Sequence, residues 1–252
     1  MRKLRLGRSR ALAVVAGISL LASAASATVI VESTLGTRKA KAEFTVSGSG
    51  SGRQLTVQLS NTSNNDVMAP IDVLTSVYFA TAGGTFAFTP VSANVAAGSS
   101  IFFENPAFGG TDIGGEWCYK SGLDMFSGHA DRGIGSAGFG IFGPPDLFGG
   151  PDRNNKQAPD GLDYAILSQG DNTTTGNTPV TGGFELIKSS AVFVFSVSAS
   201  FAETNINQNS VVFQYGTALS DPHHGPGDEV PEPAALGLVG LGALAFVRRR
   251  TR

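Results

Sequence analysis

An all-β fold, an antiparallel β-sandwich or jelly-roll-like ectodomain, is predicted for the middle of this chain by three observations. Apolar residues recur at every second position in short runs. β-branched and aromatic side chains dominate those runs, while Gly, Asn, Asp, Ser and Pro separate them. No amphipathic helical period of convincing length runs through the region between the two ends of the chain.

The strands follow in order. Residues 53–60 set Leu55, Val57 and Leu59 against polar partners. Ile71, Val73, Val77 and Phe79 keep an even spacing, Phe86 and Phe88 repeat it, and 101–103 is a short apolar run. Later come 164–167, 184–187, 192–201 and 211–215. In 192–201 both faces start apolar, Val192 and Val194 on one and Phe193 and Phe195 on the other, which predicts a central strand packed on both sides. Roughly nine strands result, in two groups at 44–103 and 164–215. Between the groups lies a Gly-rich stretch, 109–161, with little periodicity; it is expected as a long loop displayed outward. Internal repeats are absent, which argues against a solenoid or propeller.

The chain has 252 residues and 41% hydrophobic content, enough for one domain to bury a core without disulfides or metals. Cys118 is the single cysteine, so no intrachain disulfide can form. It reads as a small buried hydrophobe rather than a catalytic thiol. The formal net charge of −2 conceals a separation of charge: residues 28–229 hold 9 Lys/Arg against 19 Asp/Glu, a net −10. So acidic a body excludes nucleic acid and peripheral binding to anionic lipid, and is compatible with divalent cations and neutral glycans.

The ends carry targeting information. Arg2, Lys3, Arg5, Arg8 and Arg10 form a basic opening, 11–21 is apolar, and Ala25-Ser26-Ala27 is a small-x-small cleavage site. This is a signal peptide with signal cleavage set by Ala25 and Ala27, so Thr28 is the expected mature N-terminus. Signal peptidase and the secretory translocon are the partners it requires. At the other end Val230-Pro231-Glu232-Pro233 precedes fourteen uncharged residues, 234–247, and then Arg248, Arg249 and Arg250. Fourteen helical residues span roughly 21 Å, short of the about 30 Å of a hydrocarbon core. The arginines serve as a stop-transfer signal and stretch the effective length by snorkelling. One C-terminal transmembrane helix is therefore expected, with the body outside.

These parts in this order resemble the PEP-CTERM sorting signal of Gram-negative bacteria. The resemblance implies that an exosortase recognises Val230, Pro231, Glu232 and Pro233, cuts nearby, and passes the protein from the inner membrane to the cell surface or the extracellular polymer matrix. The body also resembles PEP-CTERM surface proteins in Val77-Tyr78-Phe79-Ala80, Asn94-Val95-Ala96-Ala97-Gly98-Ser99 and Val211-Val212-Phe213-Gln214-Tyr215-Gly216-Thr217. That implies a shared β-rich ectodomain and supplies no catalytic residue. The organisation expected is 1–27 signal peptide, 28–220 β-rich extracellular domain, 221–229 polar spacer, and 230–252 sorting and anchor segment.

Candidate chemistry in the body is sparse. Pro precedes Asp at Asp146, Asp152 and Asp160, which is good turn chemistry. With Asp163 these carboxylates are candidate Ca²⁺ ligands, although no complete Ca²⁺ loop is present. Trp117, Tyr119, Phe139, Phe142 and Phe148 either pack the core edge or stack on sugars. Gly133-Ile134-Gly135-Ser136-Ala137-Gly138 has bare G-x-G-x-x-G spacing without the strand-then-helix context of a dinucleotide site. His223-His224 with Asp228 and Glu229 reads as a solvated, mobile spacer before it reads as a metal site. His129 has no catalytic signature around it. The expected function is a non-enzymatic, exopolysaccharide-associated surface or matrix protein. A glycan- or calcium-binding module is the alternative, and an envelope hydrolase the second.

Overall fold

The computed structural model describes residues 27–104, 106–153, 158–159 and 161–226. The expected signal peptide up to Ser26, Asp160, and the expected sorting and anchor segment from 230 lie outside the described residues. Among the described residues no helix is long and apolar enough to cross a membrane, and the only helical elements are short 3-10 turns.

Among the described residues thirteen strands form two sheets. In chain order they are β1 (Thr28–Leu35), β2 (Arg38–Ser47), β3 (Gln54–Asn61), β4 (Leu74–Thr81), β5 (Phe88–Val95), β6 (Ser100–Phe102) and β7 (Cys118–Met125). There follow β8 (Ala130–Gly135), β9 (Ala165–Leu167), β10 (Leu186–Lys188), β11 (Ser190–Val197), β12 (Ile206–Tyr215) and β13 (His223–His224). The first sheet runs β1-β2-β3-β11-β5, every neighbour antiparallel. The second runs β13-β12-β4-β9-β10-β6, and the β7–β8 hairpin joins it through β8 and β4. The fold class is all-β as the alternation predicts. The β9–β10 pair is parallel, a departure from a wholly antiparallel sandwich.

Alternation explains the first sheet. Ala40, Ala42, Phe44 and Val46 of β2, Leu55, Val57 and Leu59 of β3, and Ala191, Phe193, Phe195 and Val197 of β11 point to one buried face. Lys39, Lys41, Glu43, Thr45, Thr56 and Gln58 take the other, as a period of two demands. The second sheet packs Val77, Phe79, Val211, Phe213 and Tyr215 into the same core. Ring contacts bridge the layers: Phe44 meets Phe79 edge-on at 5.1 Å, and Trp117 meets Phe193 at 4.8 Å.

Four expectations are corrected. β4 is buried on both faces, its residues 74–79 all inaccessible, as are residues 210–215 of β12. In β11, by contrast, Val192, Val194 and Ser196 are half-exposed; it is central in its sheet but has one outer face. The stretch 109–161 is not simply a displayed loop. It supplies β7 and β8, and its Ile113, Trp117, Cys118, Ile134, Ala137, Phe142 and Phe148 are buried. β1 and most of β2 precede the first strand group expected. Finally, the spacer from 221 does not begin as a solvated tether, because Asp221 to Gly225 closes a hairpin with β12.

The glycines of β8 account for the weak signal there. They let aromatic rings lie directly on the strand. A Cβ on Gly133 would fall 2.6 Å from the Tyr78 ring, and one on Gly135 would fall 2.8 Å from the Phe142 ring. Tyr78 and Phe142 stack at 6.1 Å over this stretch and, with Cys118 and Ala130, form a small core on the outer side of the second sheet. Gly133→Ala is expected to overpack this site and cost about 1–3 kcal/mol. Gly52→Ala, where a Cβ meets nothing within 4 Å, should stay within about 0.5 kcal/mol of the parent. Urea unfolding of the two variants measures the contrast.

Candidate functional site

The candidate calcium ligands serve separate local purposes. Asp146 ends the 3-10 turn Pro144–Asp146. Its Oδ2 accepts the Gly143 N–H at 2.9 Å and the Lys120 ammonium at 3.3 Å. Asp152 is exposed, whereas Asp163 is buried beside the core residues Leu162 and Tyr164. Among the described residues, no three His, Cys, Asp or Glu side chains gather to hold a metal ion. Asp160 lies outside the described residues.

The residue next to Asp152 is the one that organises this region. Arg153 is buried, and its guanidinium donates to Glu104 Oε1 through Nε at 2.9 Å and through Nη2. It also donates to the Asp112 carbonyl at 2.9 Å and the Gly110 carbonyl at 3.2 Å, and it lies over the Tyr164 ring. Its backbone N–H donates to Glu116 Oε1 at 2.6 Å. A buried guanidinium needs this many acceptors, and it stitches 104, 110–116 and 164 into one unit. Sequence reasoning passed over it because an isolated Arg carries no pattern.

The loop aromatics pack rather than stack on solvent. Trp117, Tyr119, Phe142 and Phe148 are buried and Phe139 is half-buried. The Trp117 indole N–H donates to the Tyr164 carbonyl at 3.0 Å. Cys118 is fully buried with its thiol toward the Gly143 carbonyl. Burial, and then the nearby Asp146 charge, pushes that thiol up to about 12, so it stays protonated at neutral pH. His129 is exposed at the tip of the β7–β8 hairpin with Nδ1 2.6 Å from the Phe126 carbonyl. Cys118 stands at the base of that hairpin, about 20 Å away along the strand at roughly 3.3 Å per residue. The two do not form a nucleophile–base pair.

The polar constellation that the structure does assemble lies at the opposite end of the chain. His224 is buried, and its Nδ1 is 2.8 Å from Ser33 Oγ, 191 residues away. Ser33 Oγ donates to the Gly225 carbonyl at 2.7 Å. A carbonyl only accepts, so the single hydroxyl proton is committed and Nδ1 must carry the proton it shares with Ser33. The imidazole is the donor here, the reverse of what a base activating a serine requires. A serine-activating role therefore fails on tautomer, and the contact is a tie between the edge strands β1 and β13 of the two sheets. The His223–His224 pair, expected in a mobile spacer, splits: His224 is internal, and His223 is exposed with its ring 5.0 Å from Phe126.

Next to this tie, the loop between β12 and β13 is built around Gln214. Its side chain is fully buried, and the two N–H groups of Nε2 are shared among the carbonyls of Tyr215 at 2.8 Å, Asp221 at 3.1 Å, Ala218 at 3.2 Å and Pro222 at 3.5 Å. Asp221 Oδ2 accepts the N–H groups of Thr217 and Ala218, both at 2.9 Å. The carboxylate folds over Gly216, whose φ of +69° and lack of a side chain the turn requires. The hairpin closes with the Tyr215 N–H donating to the Pro222 carbonyl at 3.0 Å.

Beyond this hairpin, residues 229–251 match the family described as the PEP-CTERM protein-sorting motif. The match covers Val230, Pro231, Glu232, Pro233 and the arginines Arg248, Arg249 and Arg250, all outside the described residues. Comparison with curated proteins and with solved structures finds no match. The chain thus carries, directly behind an all-β body, a PEP-CTERM protein-sorting motif, the signal for exosortase-dependent sorting to the bacterial cell surface.

Proposed function

We propose that this chain is a non-enzymatic surface or extracellular-matrix protein of a Gram-negative bacterium, associated with exopolysaccharide through a β-sandwich ectodomain. The observation that carries the reading is the sorting motif at 229–251. The body's use of its chemistry-bearing residues supports it. The loop aromatics and Cys118 fill cores, Asp146 braces a turn, and Arg153 and His224 tie segments together. The net charge of −10 over 28–229 suits a body that stands away from anionic lipid.

The route follows from the two ends. The translocon threads the chain outward, and signal peptidase cuts after Ala27. β1 begins at Thr28, so this cut trims the leader to the first residue of the fold. The apolar run 234–247 halts in the inner membrane with Arg248, Arg249 and Arg250 on the cytoplasmic side. Exosortase then cuts near Val230–Pro231–Glu232–Pro233 and releases the body to the surface.

Two measurements test this route. Mass spectrometry of the surface fraction is expected to find Thr28 as the first residue; an intact Met1 terminus there overturns the leader assignment. In a strain lacking the exosortase, the uncut form should accumulate in the inner membrane. Unchanged surface display in that strain would show that the motif does not direct sorting.

A further inference from the structure

The Asp221–Pro222 bond has the chemistry and the surroundings of a site that cuts itself. Proline makes this bond a tertiary amide with no N–H, and the nitrogen of such an amide leaves more readily than that of an ordinary peptide. An Asp carboxylate can close onto its own carbonyl carbon through a five-membered ring, so the nucleophile belongs to the residue that is cut. What a folded protein must add is stabilisation of the oxyanion that forms on the Asp carbonyl.

The hairpin loop supplies it. The Asp221 carbonyl oxygen accepts from Gln214 Nε2 at 3.1 Å, and Gln214 is fully buried. The same oxygen lies 3.3 Å from Nδ1 of His223, which toward a carbonyl can only donate. Asp221 Oδ2 is fixed by the Thr217 and Ala218 N–H groups. The carboxylate's second oxygen, Oδ1, makes neither of these two contacts. On the leaving side, Pro222 is held by the Tyr215 N–H on its carbonyl. Two donors therefore converge on the reacting carbonyl, and both reacting residues are held on either side of the bond.

We propose that Asp221–Pro222 is an autoproteolytic site that severs the ectodomain from its sorting motif. Asp221 Oδ1 forms a bond to the Asp221 carbonyl carbon, and the oxyanion is held by Gln214 Nε2–H and His223 Nδ1–H. The carbon–nitrogen bond then breaks, its electron pair goes to the Pro222 nitrogen, and that nitrogen takes a proton from solvent. The resulting cyclic anhydride is opened by one water molecule, which restores the side-chain carboxylate and leaves a new C-terminal carboxylate on Asp221. One water is consumed and no oxidant or cofactor takes part. The cut lies within the hairpin, so β13 leaves on the tail side while its pairing with β12 and the His224–Ser33 bond persist. The product is a nicked body holding its former anchor by a two-residue strand. This reading is independent of the exosortase assignment, since no second protein enters the reaction.

The test uses the full chain, purified in detergent and incubated alone in mildly acidic buffer, with intact-mass analysis under denaturing conditions. The expected result is a body ending at Asp221 and a fragment beginning at Pro222. Both should vanish in Pro222→Ala and in Asp221→Asn, with circular dichroism confirming that each variant keeps its fold. A parallel incubation of the parent in concentrated urea separates the folded site from ordinary acid lability of the bond. Loss of the fragments in urea supports the proposal. A chain that stays intact when folded, a cut that proceeds equally in urea, or fragments that persist in Asp221→Asn would each overturn it.

Discussion

Residues 74–79 of β4 are all withdrawn from water, and a strand in that position must find cover on two sides. On one side Leu74, Val77 and Phe79 meet the first sheet across the shared core. On the other, Tyr78 is covered by Phe142 and Phe126 and rests on the glycines of β8. This double demand accounts for much of the architecture. It explains why a hairpin is added beside β4, why 136–148 folds back over it, and why the buried hydroxyls of Thr75 and Ser76 find backbone carbonyls. It also explains why burial pushes the Tyr78 phenol well above its ordinary range.

The polar interior follows a second rule. Several charged or polar side chains taken out of water bind more than one segment. Arg153 joins three stretches around Glu104 and Tyr164. Arg132 pairs with Asp131, donates to Thr81 and lies over the Phe88 ring at 4.6 Å. Gln214 holds the carbonyls of its own hairpin loop. Loops without regular secondary structure are thereby fixed at little cost in apolar area, because a charge-assisted or multiply shared bond replaces the water that each group gives up.

Strands with alternating large side chains were legible in the sequence: β3, the core face of β11, and the 211–215 part of β12 lie where Leu55, Phe193 and Phe213 place them. β8 was not, because Gly133 and Gly135 occupy positions where an apolar alternation would have shown, and the apolar mass arrives from Tyr78 and Phe142 elsewhere in the chain; nor was β7, where Lys120, Ser121, Gly122 and Asp124 interrupt any alternation. β13 is two histidines long, and polarity argued for solvent. What reverses that is Ser33, far off in sequence, and no local pattern announces it. The same limit applied to chemistry. The Pro–Asp turns were recognisable from local rules, and Asp146 does brace a turn. The partners of Arg153, the tautomer of His224 and the crowding of carbonyls around Gln214 depend on contacts between distant segments.

The bond between Ser33 and His224 spans 191 residues, and its consequence is one of timing. A chain exported N-terminus first presents β1 first and β13 last. Contacts of such long sequence separation form slowly because the intervening loop entropy is lost before they can contribute. The seam between the edge strands therefore stays open until Gly225 has emerged. By then only the sorting motif at 229–251 has yet to follow. Completion of the fold and arrival of the sorting signal are in effect one event, and a body halted before β13 has emerged would leave the Ser33 face of β1 and the β12 edge uncovered.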